Sequence, residues 1–488
     1  MSRMSEYVPT IGLEIHAELK TRTKMFCNSA NDPDETRPNV NVCPVCFAHP
    51  GTLPVINREA VRHVLRVGIA VKGNLADYTE FDRKNYFYPD LPKGYQLSQY
   101  EYPLVSGGEL SGVKLTRIHL EEDTASSMHD EESGATTIDY NRAGVPLMEL
   151  VTEPVIRSAE EAGAFARELQ LLLRYLGASE ANMEKGEMRV EANVSVRTEA
   201  QESNNQFGTK VEIKNLNSFR IMERAVAHEI ERQTALLESG EEVVQETRGW
   251  DEKKQITFAQ RTKEGSADYR YFPDPDLPSL KLSEIKDFQP GTLKKTMPEL
   301  PHERRARYLA LDIQPDAADL FVKELHLGNY FESIIATYPK SSPAIKLVSN
   351  YVANDLVNIL RDTEDRDSDD RPENLISAQN TKKIVDMLVD GKISSRTAKD
   401  LLAACLIEKG KDPEIIAEER GLFQKTDVAG IGRVVLDIVA AHSGVVADYK
   451  AGKAAALEFL VGQGMKALKG AVDPTTLRNL IQKQISSN

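Results

Sequence analysis

Cysteine is scarce in this chain of 488 residues, which contains only Cys27, Cys43, Cys46 and Cys405. Four cysteines are too few for a disulfide scaffold of this size, so the sequence predicts a reduced protein. No apolar run is long enough to cross a bilayer, and the first residues lack the apolar stretch of a signal peptide. We therefore expect a cytoplasmic protein that makes no membrane contact.

The common sequence motifs of nucleotide-binding and hydrolytic sites are also missing. The chain has no GxxxxGKS or GxxxxGKT phosphate loop, no GxGxxG after a strand, no GxSxG elbow and no HExxH helix. If the protein uses ATP, it therefore does so with an unusual site.

Acidic residues outnumber basic residues by 75 to 61, which gives a formal net charge of −14 at pH 7. This charge argues against a protein that coats nucleic acid with its whole surface. A local basic patch is compatible with it, because salt screens charges that are more than about 10 Å apart. Any RNA contact must therefore be local.

The order of the patterns along the chain predicts three domains and an α+β fold. Strand patterns mixed with a few helices occupy residues 1–293. This region ends shortly after the proline-rich run YFPDPDLPSL, which cannot continue a central strand or a helix. Helical patterns occupy the rest of the chain and are divided into two predicted domains, residues 294–408 and residues 409–488. At roughly 100–200 residues per domain, this length corresponds to about three domains.

Strict alternation of apolar and polar residues predicts that IGLEIHAELK, residues 11–20, is a half-buried strand. Glu14 and His16 lie two residues apart on its polar row, so their side chains leave the same face about 7 Å apart. That spacing suits two ligands of one metal ion. A solvent-facing row would have the same pattern, and on this stretch alone that interpretation is favoured.

Two further stretches carry acids that could bind a cation. Glu121, Glu122 and Asp123 are adjacent, and three acids in a row repel one another unless they are solvated or bound to cations. A surface turn is the commoner explanation, although grouped oxygen ligands are also what Mg²⁺ requires. Glu149 stands in the apolar run PLMELV, where a buried carboxylate needs a partner or a cation, so here function is favoured.

Basic and aromatic residues are interleaved in FDRKNYFYPDLPKGYQLSQYEYP, residues 81–103. The basic residues are Arg83, Lys84 and Lys93. This combination suits a nucleotide or an RNA end through phosphate contacts and stacking, and it suits an aromatic-anchored structural loop equally well. The turn NRAG, which contains Arg142, also offers N–H groups and a guanidinium to an anion.

Cys43 and Cys46 form a Cys-x-x-Cys pair of the kind that often supplies half of a zinc site. Cys27 could supply a third thiolate, and His49 or a carboxylate could be the fourth ligand. The pattern is compatible with a filled site and with an empty one.

Lysines lie along the amphipathic helices predicted near the end of the chain. They are Lys450, Lys453, Lys466 and Lys469. They form either an ordinary solvated face or a phosphate-contacting module, which would reconcile an acidic chain with an RNA partner.

The segments IGLEIHAELKT, FDRKNYFYPDLPKGYQLSQYEYP, DYNRAGVPLMELVTEP, GTKVEIKNLNSF and QETRGWDE occur in this order. They resemble the hallmarks of the B subunits of tRNA-dependent amidotransferases, and DYNRAGVPLMEL is specific enough to name that family. The resemblance covers nearly the whole chain. It implies a cradle-like N-terminal domain built on an antiparallel β-sheet with flanking helices, an all-α helical domain and a small all-α tail of the YqeY type.

The resemblance also implies a reaction. Family members are ATP- and Mg²⁺-dependent ligase subunits that phosphorylate the side-chain carboxylate of Glu-tRNA(Gln) or Asp-tRNA(Asn). Ammonia from glutamine then displaces phosphate and gives Gln-tRNA(Gln) or Asn-tRNA(Asn). The implied partners are an amidase, which is the A subunit of the complex, and a small C subunit. The rival hypothesis is a tRNA-binding adaptor without chemistry, which would have no need for the acids named above.

The resemblance further implies roles for individual residues. Glu14, His16, Glu122 and Glu149 would hold Mg²⁺, although His16 could instead orient a water, because histidine is an atypical Mg²⁺ ligand. Lys84 would meet phosphate oxygens and completes the expected catalytic set. The other expected nucleotide contacts are Arg83, Lys93, Arg142, Lys210 and Lys214. The expected tRNA contacts are Lys450, Lys453, Lys466 and Lys469.

The chain departs from the family pattern at two points. Ser29 stands where the metal-binding branch of the family completes a Cys-x-Cys pair with Cys27, which leaves zinc uncertain. Val190 and Glu191 stand where the usual pattern is Cys-Asp, so Glu191 is not expected to be catalytic.

Overall fold

The structure is a computed structural model that describes residues 7–130, 133–262, 268–362, 376–424, 428–468, 472 and 474–487. The chain forms two compact units, Met1–Pro301 and His302–Asn488. The prediction of three domains, residues 1–293, 294–408 and 409–488, stays a prediction. Among the described residues, no helix combines the length and apolar character needed to cross a membrane.

The first unit contains strands and helices. Its strands are β1 (Tyr7–Glu18), β2 (Asn74–Leu75), β3 (Tyr78–Thr79), β4 (Asp82–Asn85), β5 (Tyr95–Ser98), β6 (Val105–Ser106), β7 (Glu109–Leu110), β8 (Val113–Glu122), β9 (Ser126–His129), β10 (Thr136–Asp139), β11 (Pro146–Thr152), β12 (Met188–Thr198), β13 (Val211–Leu216), β14 (Glu246–Asp251), β15 (Ile256–Thr262), β16 (Phe272–Pro273) and β17 (Leu280–Lys281). Its helices are α1 (Arg58–Ala70), α2 (Ala159–Tyr175), α3 (Glu199–Ser203), α4 (Phe219–Glu238) and α5 (Pro290–Lys294), with short 3₁₀ turns at Leu282–Glu284 and Lys286–Phe288.

The largest sheet of the described chain has ten strands, in the order β15-β14-β13-β12-β1-β11-β8-β6-β2, with β7 attached to β8. Its pairings are antiparallel except for β13 with β14. Strand β1 lies inside the sheet between β11 and β12. The first strand of the chain therefore has neighbours that are far away in sequence.

The two faces of β1 differ as the alternation predicts. Ile11, Leu13 and Ile15 are fully buried and share one core with residues of α1 and α2, such as Val64 and Leu169. Burying such a side chain contributes roughly 1.5–3 kcal/mol, so this row fixes the register of β1. The opposite face carries the polar row that contains Glu14, His16 and Glu18.

Local signals in the sequence set the two ends of helix α2. The Ser158 hydroxyl accepts a hydrogen bond from the N–H of Glu161 (3.1 Å). The Glu161 carboxylate accepts from the N–H of Arg157 (2.8 Å), one residue before the position of an ideal capping box. Gly177, just beyond the helix, has a φ of +61°, a conformation that glycine adopts without a Cβ clash.

The second unit consists of helices in all the regular elements that the structure describes. They are α6 (Pro301–Ala310, which begins at the unit boundary), α7 (Pro315–Lys323), α8 (Leu325–Ile335), α9 (Ala344–Asn350), a π-helical turn (Tyr351–Leu356), α10 (Val357–Asp362), α11 (Ala378–Val389), α12 (Ser395–Ile407), α13 (Pro413–Glu419), α14 (Val428–Ala441), α15 (Ser443–Lys450), α16 (Ala454–Ala467) and α17 (Pro474–Ser487). The last four share a hydrophobic core that runs from Ile431 to Ile485. The predicted α+β class is confirmed.

Candidate active site on the polar face of the sheet

Three side chains form a row across neighbouring strands. His16 on β1 lies opposite Glu149 on β11, and Glu149 lies opposite His119 on β8. Directly opposed residues point to the same face of a sheet, so the three side chains meet. Glu149 Oε2 is 3.5 Å from His16 Nε2 and 3.3 Å from His119 Nε2.

Two more carboxylates complete this cluster. Glu14 lies two residues before His16, and its Oε1 is 3.9 Å from His16 Nε2. Glu121 lies two residues after His119, with Oε1 3.5 Å from His119 Nε2 and Oε2 4.0 Å from His16 Nε2. The donor atoms form two groups that share Glu149, and within each group all lie within 4.8 Å of one another. We call these five residues, Glu14, His16, His119, Glu121 and Glu149, the acid–histidine cluster.

The structure brings Glu14, His16 and Glu149 together, but it does not bring Glu122 to them. Adjacent residues of a strand point to opposite faces, so Glu122 leaves the sheet on the side opposite to Glu121. Its carboxylate contacts the Lys93 ammonium and accepts a hydrogen bond from the N–H of Leu97 (2.9 Å). The prediction that Glu122 converges with the other acids is wrong, and Glu121 occupies that position.

Sequence reasoning missed His119, and from the adjacent acids it selected Glu122 instead of Glu121, although a signal was present. The order His119-x-Glu121 has the same two-residue spacing as Glu14-x-His16, which places both side chains on one face of a strand. What the sequence does not contain is the pairing of β8 with β11, which sets His119 opposite Glu149.

Two cations reach the cluster. The Lys84 ammonium is 3.9 Å from Glu121 Oε1, and the Arg117 guanidinium is 3.5 Å from Glu149 Oε1. The sequence predicts Lys84 near the acids, whereas it gives no such indication for Arg117. Lys214 lies on β13, two strands beyond β1, with Nζ 2.7 Å from Glu191 Oε2, and Glu191 on β12 lies opposite Glu14 in the sheet.

The other basic residues expected to meet phosphate have protein partners instead. Arg83 contacts Asp274 (2.6 Å) and Asp276 (3.3 Å), and it lies over the Tyr95 ring. Lys93 pairs with Glu122. These contacts favour a structural role for Arg83 and Lys93, which the sequence pattern left open.

Arg142 and Lys210 also lie apart from the cluster. Arg142 donates to the carbonyls of Thr124 (3.0 Å) and Ala125 (2.9 Å), and it is 3.7 Å from Asp123. Lys210 is exposed and lines a separate cavity of about 340 Å³ that also involves Asn193. The expectation that these two residues contact the nucleotide stays a prediction.

Charges within the cluster compensate one another. Burial raises the pKa of Glu149, but the charges and hydrogen bonds of His119 and His16 together outweigh burial and hold that pKa well below its usual value. Burial lowers the pKa of His119, yet the charge of Glu149 and the hydrogen bond with Glu121 raise it to about 9. Burial likewise lowers the pKa of His16, and the hydrogen bond with Glu149 raises it above the ordinary value.

The pKa values of Glu14 and Lys84, which lie at the edges of the cluster, are shifted as well. Burial and the nearby charge of Glu149 raise the pKa of Glu14 above its usual value. Burial lowers the pKa of Lys84, but the charge of Glu121, together with those of Glu149 and neighbouring tyrosines, reverses that effect and raises the pKa. Lys84 is thus a permanent cation beside the acids.

A second group of charges follows directly along β1. Arg189 lies 2.7 Å from Asp123, and Glu18 hydrogen-bonds with Asp123. Burial and the charge of Asp123 raise the pKa of Glu18 to about 8. Glu18 also lines a polar cavity of about 570 Å³.

The donor set fits a divalent cation. Three carboxylates this close repel one another, and a bound cation relieves that repulsion. Carboxylate oxygens suit Mg²⁺, and imidazole nitrogens add affinity for other divalent ions. His119 Nδ1 is buried without a hydrogen-bond partner among the described residues, whereas its Nε2 faces the carboxylates of Glu121 and Glu149, which favours a proton on Nε2.

The three cysteines of the knuckle also come together. Cys27 Sγ and Cys43 Sγ are each 3.7 Å from Cys46 Sγ. In a tetrahedral site with Zn–S bonds of about 2.3 Å, neighbouring sulfurs lie about 3.8 Å apart, so the spacing fits zinc. Ser29 Oγ is 3.5 Å from Cys46 Sγ, whereas His49 is not part of this group. Lys24, which is fully buried, also donates to Cys46 Sγ (3.5 Å).

The tail lysines lie on helix ends. Lys450 ends α15, Lys466 is in the last turn of α16, and both are exposed. Lys453 contacts Asp448 (2.9 Å). Lys469 lies outside the described residues. The expectation that these lysines contact tRNA phosphates stays a prediction.

Comparison with known proteins identifies the family. The model of the GatB/GatE catalytic domain matches residues 9–286, and the model of a GatB domain matches residues 329–485. The chain is similar to proteins named as the B subunit of aspartyl/glutamyl-tRNA(Asn/Gln) amidotransferase. That of Trichodesmium erythraeum is 41% identical over 99% of this chain and 98% of the relative. That of Thermomicrobium roseum is 43% identical over 98% and 99%, respectively.

The chain therefore belongs to the family of amidotransferase B subunits, as its sequence resemblance predicted. The acid–histidine cluster lies within the region that the catalytic-domain model matches.

Proposed function

We propose that this chain is the carboxylate-activating subunit of a glutamine-dependent tRNA amidotransferase. It phosphorylates the side-chain carboxylate of Glu-tRNA(Gln), Asp-tRNA(Asn) or both with ATP, and ammonia then converts the acyl phosphate into an amide. The products are Gln-tRNA(Gln) and Asn-tRNA(Asn), so the complex is a carbon–nitrogen ligase that uses glutamine as the amide donor. The observation that supports this most directly is the convergence of Glu14, Glu121 and Glu149 with a flanking Lys84.

The chemistry explains why such a cluster is needed. A carboxylate is a poor electrophile toward ammonia, and phosphorylation gives it a good leaving group. Transfer of a phosphoryl group depends mainly on positioning and on neutralising the negative charge of its oxygens. Bound Mg²⁺ would supply most of that neutralisation. Glu14, Glu121 and Glu149 are the residues that would hold it.

The remaining residues of the cluster have supporting roles. Lys84 is a cation at the rim, within reach of both Glu121 and a phosphoryl oxygen bound beside it. His119 is buried between Glu121 and Glu149 and fixes their orientation. His16 contacts Glu149 from the neighbouring strand and is positioned to orient a water or a substrate oxygen.

The proposal requires partners. The sequence carries no serine-rich amidase signature, and free ammonia is mostly protonated at neutral pH and then has no lone pair for attack. An amidase, as the A subunit, and a small C subunit would therefore complete a heterotrimer that delivers ammonia without releasing it. The tail lysines would contact the tRNA backbone. The reduced thiols Cys27, Cys43, Cys46 and Cys405 support a cytoplasmic location, where tRNA is charged.

The test replaces Glu149 by glutamine in the assembled complex, with Glu153→Gln as the control. Glu153 follows β11, and its carboxylate accepts a hydrogen bond from the Thr116 hydroxyl (2.7 Å). Glu149→Gln should reduce amidation of Glu-tRNA and Asp-tRNA by at least about 100-fold, the scale of removing one electrostatic interaction from a transition state. The affinity for tRNA should stay unchanged. Wild-type amidation by Glu149→Gln, with tRNA binding intact, would make the chain a tRNA-binding adaptor instead.

A further inference from the structure

Five tyrosines form a continuous series of ring contacts beside the acid–histidine cluster. Their order in space is Tyr88, Tyr86, Tyr269, Tyr271 and Tyr100, with successive ring centroids 6.0, 6.0, 6.0 and 4.4 Å apart. They come from the loop after β4, from the turn after β5 and from the segment before β16. The tertiary fold, and not one local motif, therefore assembles this series, which we call the tyrosine wall.

Lys84 connects the tyrosine wall to the acids. Its ammonium lies 5.2 Å from the centroid of the Tyr269 ring and 3.9 Å from Glu121 Oε1. Hydrogen bonds also fix the position of the wall. The Tyr86 hydroxyl donates to Gln96 Oε1 (3.1 Å), and the Asn85 amide donates to the backbone carbonyl of Tyr269 (3.0 Å). The rings nearest to Lys84 are thus fixed in place.

Both ends of the wall, Tyr88 and Tyr100, face solvent, as does Phe87 next to Tyr88 in the sequence. Phe87 is 88% exposed, Tyr88 60% and Tyr100 58%. An aromatic ring that anchors a loop is normally buried against a core, whereas these three gain little from folding. Exposed aromatic rings grouped at the edge of a site are typical of a binding surface.

We propose that the tyrosine wall, together with Phe87, stacks on the unpaired nucleotides at the 3′ end of the substrate tRNA. This inference rests on the proposed function and names the surface that holds its substrate. A single-stranded end presents several bases in succession, and a series of rings offers several stacking positions. ATP brings only one base, so a series of five rings is matched better by the RNA end.

The position of the wall is consistent with the chemistry. The amino acid is esterified to the terminal ribose, so a terminal base held beside Tyr86 places the amino-acid side chain toward Lys84 and Glu121. The Arg270 side chain, between Tyr269 and Tyr271 in the sequence, is 84% exposed and 3.9 Å from the equally exposed Asp268 carboxylate, a loose pair with which a phosphate can compete.

The test uses the assembled complex with Phe87→Leu and Tyr88→Leu combined. Phe258→Leu is the control, because Phe258 on β15 is also exposed (42%). Dissociation constants are measured for tRNA(Gln) with its intact 3′ end, for the same tRNA without its single-stranded 3′ nucleotides, and for MgATP. The double variant should bind intact tRNA about tenfold more weakly, equivalent to about 1.4 kcal/mol. Binding of truncated tRNA and MgATP should be unchanged, and the ring-preserving pair Phe87→Tyr and Tyr88→Phe should bind as wild type does.

Three results would overturn the inference. Equal losses for intact and truncated tRNA would place the effect elsewhere on the RNA. Weaker binding of MgATP with unchanged tRNA binding would assign the wall to the adenine of ATP. Unchanged binding of all three would assign it no ligand. A wild-type complex that binds intact tRNA through the wall but forms no amide would refute the proposed function and leave the stacking result intact.

Discussion

Glu149 lies at the centre of the candidate active site. It is directly opposite His16 on one neighbouring strand and His119 on the other, and both groups of ligand atoms include it. A single carboxylate placed between two imidazoles stays ionised, because their charges hold its pKa well below the usual value. A residue that stays anionic across the working pH range is suited to bind a cation.

The two adjacent acids Glu121 and Glu122 are expected to have different roles, one catalytic and one structural. Glu121→Gln should lower kcat for amidation by about 100-fold or more, because Glu121 faces the cluster. Glu122→Gln should lower the melting temperature, because it leaves the Lys93 ammonium without its buried partner, and it should change kcat much less. Steady-state kinetics and thermal melts of both variants test this. Equal losses of kcat would contradict the assignment of the two faces.

The protonation of Glu18 predicts a pH-dependent stability. Burial and the charge of Asp123 raise its pKa to about 8 in the folded chain, from 4.5 as the ordinary value. The stabilisation from the bound proton is therefore fully present below about pH 4.5 and is lost as the pH rises through about 8. Glu18→Gln cannot ionise, so its free energy of unfolding should rise relative to wild type between about pH 5 and about pH 9.

Urea titrations in the presence of a chelator measure this difference, because a bound cation would change the local charge. Glu184→Gln is the control, since Glu184 is exposed. A difference between Glu18→Gln and wild type that stays constant over this pH range would show that Glu18 is ionised in the folded protein at neutral pH.

Individual residues were predictable where local pattern sufficed. Glu149 is recognisable as a carboxylate in an apolar run, and Glu14 and His16 share one row of an alternating strand. Glu121 was not recognised, because choosing between it and Glu122 requires knowing which face of β8 is polar. That face is set by pairing with β11, an interaction between residues distant in sequence.

At the scale of elements, the strict alternation of residues 11–20 was enough to predict β1 and its two faces. The order of strands in the sheet could not be predicted, because β1 pairs with β12 and β11 across more than a hundred residues. The same limit applies to the basic loops. Arg83 and Lys93 have acidic partners in the fold, Asp274 and Glu122, that their own segment does not reveal.

The cysteine knuckle, formed by Cys27, Cys43 and Cys46, supplies a prediction about metal content. The sulfur spacing fits a zinc ion, and the hydrogen bond from Cys27 lowers the pKa of the Cys46 thiol to about 4, which favours the metal-binding thiolate. We expect about one zinc per chain in the purified protein, and Cys46→Ser should lose it and melt at a lower temperature. Metal analysis measures the content. Cys405→Ser should keep its zinc, and a wild-type protein free of zinc would show that the knuckle works without metal.

At the scale of the whole molecule, an acidic chain with a net charge of −14 must bind a polyanion through limited surfaces. The last four helices have a core of their own, from Ile431 to Ile485, and they carry exposed lysines. Helix α13 instead packs with α11 and α12, so a truncation that removes only the tail begins after residue 424.

Removing residues 425–488 should weaken tRNA binding while leaving glutamine hydrolysis by the complex nearly unchanged. A triple variant, Lys450→Gln, Lys453→Gln and Lys466→Gln, should reproduce part of this effect without removing the core. The triple variant should also bind with a weaker salt dependence. The slope of log K against log salt should become shallower by about 0.7–0.9 for each phosphate contact that is lost. Unchanged affinity in the truncated chain would exclude the tail from tRNA binding.

Activation of the side-chain carboxylate of the aminoacyl-tRNA as an acyl phosphate is the step on which the proposed function depends. Oxygen-18 in both side-chain oxygens of Glu-tRNA tests it directly, with mass spectrometry of the inorganic phosphate released during amidation by the wild-type complex. We predict one labelled oxygen in each phosphate, because displacement by ammonia leaves the bridging oxygen on phosphorus. Phosphate without label, released while labelled amide accumulates, would contradict this mechanism.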